Sequence, residues 1–303
     1  MTDDTAPFRL AEVLGEATPD RIEILDVGAM AEGRPRYEAL LQQGLCRITG
    51  FEANKDEVDT ALAALPPGSR VLPYALGDGN EATLHVTRYP GCTSLLEPNP
   101  EVIDMFVPIS AMPPGGNFAV MATEQIQTHR LDDVVECPQA DYVKLDVQGA
   151  ELMVLENGIQ KISEAVVIET EVEFVELYRD QPLFGEIQTF LRRQGFAFHK
   201  LIDIVGMNFR PMRSENWNAA TSQFLWADGV FVRDVSKLDA YTPAQLLKAA
   251  AILHDVYFSY DIVCRLLYMH DLAAGSAFAE VYWRRIDATD HLPLQFANMR
   301  TEL

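Results

Sequence analysis

Apolar and polar residues along this chain fall into blocks whose spacing predicts strands and helices in turn. Ile22, Ile24, Leu25 and Val27 form a short apolar run ending at Gly28, and Tyr37, Leu40 and Leu41 follow at helical spacing. This predicts a buried strand, a tight turn, and a helix over residues 35–44 closed by Gly44. Ahead of it, Phe8, Leu10, Val13 and Leu14 predict a short leading helix halted near Pro19. Cys46–Phe51 reads as a second strand ending at Glu52. Val58, Leu62 and Leu65 mark a helix stopped by Pro66-Pro67-Gly68, and residues 71–76 make a third strand. Farther on, Tyr142, Val143 and Leu145 make a strand ending at Asp146, with a turn at Gly149 and a helix carrying Leu152, Leu155 and Ile159. Residues 165–168 form another apolar run, tipped by Glu169 and Glu171. A helix over Phe184, Ile187, Phe190 and Leu191 ends at Gly195, and residues 196–201 and 224–232 complete seven principal strands.

This alternation predicts an α/β fold, with a seven-stranded, mostly parallel sheet and helices on both faces. Residues 82–88 alternate like a half-exposed strand. Residues 90–116 are rich in proline and glycine and read as a lid. Residues 1–234 form one domain on this reading, and 235–303 a helical C-terminal extension. Thr242-Pro243-Ala244-Gln245 has the make-up of a helix start: a capping threonine, proline at the first position, and glutamine placed to complete the box. Leu246, Ala250, Leu253, Tyr257, Tyr260, Cys264 and Leu267 then recur at alternating spacings of four and three. That stripe needs a cover, either the protein's own helices or a second copy in a homodimer.

The residues at the first turn narrow the ligand. Open α/β sheets bind ligands beyond the carboxyl ends of their strands, and a glycine there lets backbone approach closely. A dinucleotide site presents successive glycines to a pyrophosphate, which a neighbouring carboxylate would repel. Here Asp26 precedes Gly28 and the second glycine of that pattern is missing. Glu52, at the tip of the second strand, suits a ribose diol, which offers two hydroxyls to an acceptor. A ribose, a cationic group near Asp26 and no phosphate describe S-adenosylmethionine. An ordinary strand-end turn gives the same D-x-G, so the later blocks must decide.

Composition removes several function classes. A formal net charge of -21 over 303 residues repels nucleic acid and anionic membrane surfaces. The first ten residues are acidic and no apolar run approaches the length of a membrane span, so a cytoplasmic protein is expected. Cys46, Cys92, Cys137 and Cys264 lie far apart without a C-x-x-C pair, and the six histidines show no ligand spacing. No metal is expected, although Asp146, Glu169 and Glu171 could together offer hard oxygen ligands to Mg²⁺.

Several blocks occur in a fixed order: D-V-G-A (26–29), F-E-A (51–53), A-L-G-D (75–78), T-S-L (93–95), R-L-D-D (130–133), K-L-D-V-Q-G-A-E-L-M-V-L (144–155) and L-Y-R-D-Q-P-L-F (177–184). The series closely resembles the FkbM family of S-adenosylmethionine-dependent methyltransferases, over about residues 20–233. The resemblance implies a class I methyltransferase (Rossmann-like) sheet whose last strand is antiparallel, and methylation of a hydroxyl on a sugar, glycolipid or other small-molecule acceptor. Carried onto this sequence, it implies cofactor binding by Asp26, Gly28, Ala29, Glu52, Ala53, Gly77, Asp78 and Asp146, and leaves S-adenosylhomocysteine as product.

Moving a proton off an aliphatic hydroxyl benefits from a general base within hydrogen-bond reach, and Asp146, Glu169, Glu171 and His129 are the candidates. Each has a plainer reading. Asp146 could cap the next helix, Glu169 and Glu171 could be solvated loop charges, and His129 could serve structure alone. Gln148 stands where the family often has glutamate, and a neutral amide cannot take a proton. Trp217 with Arg210 and Arg213 could form a platform for a polyhydroxylated acceptor, or pin a surface loop. An NAD-dependent oxidoreductase and a cofactor-binding scaffold without catalysis are the competing classes.

Overall fold

A computed structural model describes residues 6–28, 35–52, 55–63, 65–106, 115–212 and 222–289. Ten strands form among them: β1 (Ile22–Val27), β2 (Cys46–Phe51), β3 (Arg70–Leu72), β4 (Ala75–Leu76), β5 (Glu81–Thr87), β6 (Val120–His129), β7 (Tyr142–Leu145), β8 (Val167–Glu173), β9 (Phe196–Gly206) and β10 (Phe224–Arg233). Seven of them pair in the order β3-β2-β1-β7-β8-β10-β9. β1, β7 and β8 run parallel, while β10 runs antiparallel to both β8 and β9. This is the class I methyltransferase sheet expected from the sequence, with its last strand reversed. The chain divides into two compact units, one of Met1–Ile22, Gly33–Cys46 and Val235–Leu303, the other of Glu23–Glu32 and Arg47–Asp234.

In the larger unit, period-two alternation sorts the central strands into faces. Leu25, Val27, Val143, Leu145, Ile168 and Phe231 enter one buried cluster with Val154, Leu155, Ile187 and Leu191 from the helices. Alternate residues of the same strands, among them Asp26, Lys144 and Glu169, take the other face. The helix Phe184–Arg193 buries Ile187 and Leu191, and Gly195 closes it at φ +87.

Three elements depart from the sequence expectation. The strand expected over 71–76 is split, because Pro73 has no N–H to donate and β4 passes into a second sheet of order β4-β6-β5. The helix expected to run through Ile159 is two, Glu151–Glu156 and Ile159–Ile162. Between them Gly158 packs so closely that an added Cβ would lie 2.5 Å from Leu131 Cδ2. Glu169 and Glu171 lie inside β8, where Glu169 is 1% exposed, so they are not solvated loop charges. In the segment read as a lid, Cys92, Ile103 and Phe106 are buried against Leu177, Tyr178 and Leu225. Its described part is thus anchored by its own apolar side chains; residues 107–114 lie outside the described residues.

The smaller unit contains the helices Ala11–Leu14, Glu38–Gln42, Pro243–Asp255, Tyr260–Ala274 and Phe278–Asp287. The Thr242 box forms as expected: its Oγ1 accepts from Gln245 N at 3.2 Å, and its N–H donates to Gln245 Oε1 at 3.0 Å. The apolar stripe breaks at Phe258 (φ 54) into two helices. Leu246, Ala250, Leu253, Tyr257 and Leu267 are all buried, with Pro243–Asp255 packed on Glu38–Gln42 and on Tyr260–Ala274. The stripe is therefore covered within its own unit.

Two adjacent buried residues there bend the pH dependence of stability in opposite directions. His254 Nε2 lies 2.9 Å from Phe8 O and Nδ1 lies 3.0 Å from the Tyr282 hydroxyl. Burial pushes His254 down to about 4 and Asp255 up to about 6. The unfolded chain takes a proton on His254 below its ordinary 6.5, so the fold loses stability as pH falls from there toward 4. Asp255 acts oppositely, because its folded form keeps the proton and regains stability as pH falls through 6 toward 3.8. Each displacement is worth about 3 kcal/mol, so the two trends largely offset. Asp255→Asn removes one of them. Urea unfolding from pH 6.5 to 4 should show the variant losing about 2 kcal/mol more than the wild type; parallel pH profiles would contradict the raised proton affinity of Asp255.

Candidate active site

The carboxyl edge of the sheet gathers acidic side chains from neighbouring strands. Asp26 is the penultimate residue of β1, Asp146 follows β7, and Glu52 follows β2, where its N–H donates to Leu72 O at 3.1 Å. Asp26 is 5% exposed. At the first turn Gly28 has φ +82, and an added Cβ would sit 1.8 Å from Asp146 O. Asp146 N donates to Val27 O at 3.0 Å, so the ends of β1 and β7 are locked together here. The bare glycine is needed because the protein's own backbone fills the space where a side chain would go.

Lys144 lies in this edge beside Asp26 and Glu169, its register partners on β1 and β8. Its Nζ is 3.9 Å from Asp146 Oδ2. Glu169 accepts from the Tyr142 hydroxyl at 3.1 Å. Asp146 is the open member, with 45% of its side chain exposed.

Gln148 ties Asp146 to a second group. Its Nε2 donates to Asp146 Oδ1 and to Glu171 Oε2, both at 3.0 Å, and the Tyr178 hydroxyl lies 3.2 Å from its Oε1. The backbone there is left-handed (φ 55), and Ser94 Oγ donates to Gln148 O at 2.6 Å. A non-glycine residue in that region is strained by about 1–3 kcal/mol and persists only where its surroundings fix it. The Gln148 amide thus acts as a hydrogen-bond donor between two carboxyl groups.

Behind it lie Glu151 and Glu173. Glu151 Oε1 accepts from Val147 N at 2.8 Å, tying the first residue of the helix that follows β7 back to the turn before it. Burial pushes Glu151 up to about 7, with Asp146 adding to it. Burial and then neighbouring carboxylates hold Glu171 and Glu173 well above the usual carboxylate range. Glu171 and Glu173 thus favour the neutral acid, and Asp146 is the solvent-accessible member of the cluster. No three His, Cys, Asp or Glu residues among those described are arranged to hold a metal ion.

The other sequence candidates lie elsewhere. Gly77 donates its N–H to His129 O at 2.9 Å, and Thr128 occupies the space of its absent Cβ. Asp78 is exposed and accepts from Asn80 N at 3.0 Å and Asn80 Nδ2 at 2.9 Å, bonds that hold its carboxyl below the usual range. His129 stacks on Tyr74 at 4.6 Å, beside a cleft of about 480 Å³ that Asp146 does not line. Ala29, Ala53, Arg213 and Trp217 fall outside the described residues. Sequence reasoning missed Lys144, Glu151, Glu173 and the bridging use of Gln148. A lysine inside a short apolar strand was the available signal, since such a residue is rarely buried unless paired.

A family model described as the methyltransferase FkbM domain matches residues 26–198, more than half the chain. The chain belongs to the FkbM methyltransferase family. Membership brings S-adenosylmethionine as the methyl donor, and the edge fits it chemically, with the carboxylates of Asp26, Glu52 and Asp146 at the ends of β1, β2 and β7. No curated protein matches the chain. Among solved structures, this FkbM methyltransferase is similar to magnesium protoporphyrin IX methyltransferase of Synechocystis PCC 6803 with bound SAM, at 12% identity over 74% of this chain and 76% of that one (TM-score 0.32). It is also similar to precorrin-6y C5,15-methyltransferase of Geobacter metallireducens GS-15, at 13% identity over 74% and 86% (TM-score 0.34).

Proposed function

We propose that this methyltransferase acts on oxygen, methylating a hydroxyl of a sugar, glycolipid or other small molecule, with the donor held at the carboxyl edge of β1 and β2 and the acceptor beside Asp146. The observation that carries this reading is the junction of β1 and β7, where Asp26 and the accessible Asp146 stand on strand ends joined by backbone and share Lys144. When bound, S-adenosylmethionine supplies a methyl group activated by a sulfonium for in-line displacement. Asp26 offers its charge to the cationic part of that donor, and Glu52 accepts hydrogen bonds from the ribose diol. Asp146 accepts the proton of the acceptor hydroxyl, with Gln148 fixing one of its oxygens. Alignment of two reactants is where most of such a rate enhancement arises. Glu169, fully enclosed and bonded to Tyr142, serves the charge arrangement rather than the acceptor.

Differential scanning fluorimetry against S-adenosylmethionine, S-adenosylhomocysteine and NAD should show stabilisation by the first two alone. A ligand at one hundred times its Kd contributes about 2.7 kcal/mol to the folded state. Labelled methyl transferred to a panel of hydroxylated acceptors, and stable to mild base as an ether is, would support the oxygen assignment. Label confined to amines or carboxyl groups would overturn it.

A further inference from the structure

We propose that Lys144 is a positioning residue, the counter-charge that fixes the donor-side Asp26 and the acceptor-side Asp146 relative to one another. The inference rests on the placement of donor and acceptor given above. β7 is the central parallel strand, and its register puts Lys144 between Asp26 on β1 and Glu169 on β8. Just past its own strand Asp146 Oδ2 is 3.9 Å away, and Asp228 of β10 also acts on it. Only 22% of the lysine side chain is exposed.

Burial alone drives an ammonium toward its neutral form. Here Asp26, Asp146, Glu169 and Asp228 together outweigh burial and hold Lys144 above its ordinary value. Removing the one cation from such an enclosed group leaves several carboxylates uncompensated, which is the costly case. The carboxylates are also tied individually. The Tyr142 hydroxyl takes Glu169, and Gln148 takes Asp146 Oδ1 and leaves Oδ2 toward the lysine. Donor and acceptor ends are therefore linked through one cation.

The test uses the full chain, with calorimetric titration of S-adenosylhomocysteine from pH 6 to 8 and circular dichroism to check folding. Wild type and Lys144→Arg should each show less than a twofold change in affinity across the range. In Lys144→Met the crowded carboxylates take up a proton as pH falls, so affinity should drop at least tenfold from pH 8 to 6. A folded Lys144→Met with the flat wild-type profile would overturn the proposal. Should Lys144→Met fail to fold, Lys144→Met/Glu169→Gln removes a negative charge along with the positive one and should restore folding. A double variant that stays unfolded would overturn the electrostatic role. Wild type that binds no S-adenosylhomocysteine at any pH would instead overturn the donor placement beneath it.

Discussion

Gly28→Ala should cost the protein more than 3 kcal/mol and abolish binding of S-adenosylhomocysteine. The position has φ +82, which costs an L-residue about 1–2 kcal/mol even in open space. Space is not open, because the new Cβ would fall 1.8 Å from Asp146 O and 2.9 Å from Asp146 C. Those atoms are backbone, so no side-chain rotation relieves the overlap. The ends of β1 and β7 must separate, breaking the 3.0 Å bond from Asp146 N to Val27 O and moving Asp26 away from Lys144. A loss of about 3 kcal/mol lowers Tm by roughly 5 °C in a protein of this length. Differential scanning calorimetry reads that fall, and a variant melting within a degree or two of wild type would show the junction to be looser than drawn.

Asp26→Asn should leave the fold largely intact and weaken S-adenosylhomocysteine about a hundredfold. The substitution keeps shape, and Lys144 retains Asp146, Glu169 and Asp228 as neighbours. What disappears is a charged acceptor in a position 5% exposed. A hydrogen bond to a charged group contributes about 1.5–3 kcal/mol, and each 1.4 kcal/mol is tenfold in affinity. Glu52 sits on the neighbouring strand end and is half-buried, so Glu52→Gln gives a milder comparison.

Much of this edge was legible in the sequence because strand-end chemistry is local. An apolar run with period-two alternation, an acidic residue and a glycine suffice to place Asp26 and Gly28 at a strand tip, and the Lys144–Leu155 stretch does the same for Asp146. The Thr242 box was equally readable, since its bonds span only three residues. What escaped depends on distant partners. β6 runs ten residues but is exposed over most of its length, so neither face imposes an apolar alternation and the strand leaves no pattern. Glu169 and Glu171 resemble loop charges until Lys144, Gln148 and Tyr142 are brought beside β8. The break at Phe258 is hidden because the apolar spacing continues across it, although the backbone reverses there.

Calorimetric titration of S-adenosylhomocysteine into wild type and Asp26→Asn, at one pH near neutrality and with matched melting profiles, tests the donor placement most directly. The account predicts saturable one-to-one binding by the wild type and affinity about a hundredfold weaker in the variant. Equal affinity in both proteins would mean that the donor is held somewhere other than the turn after β1.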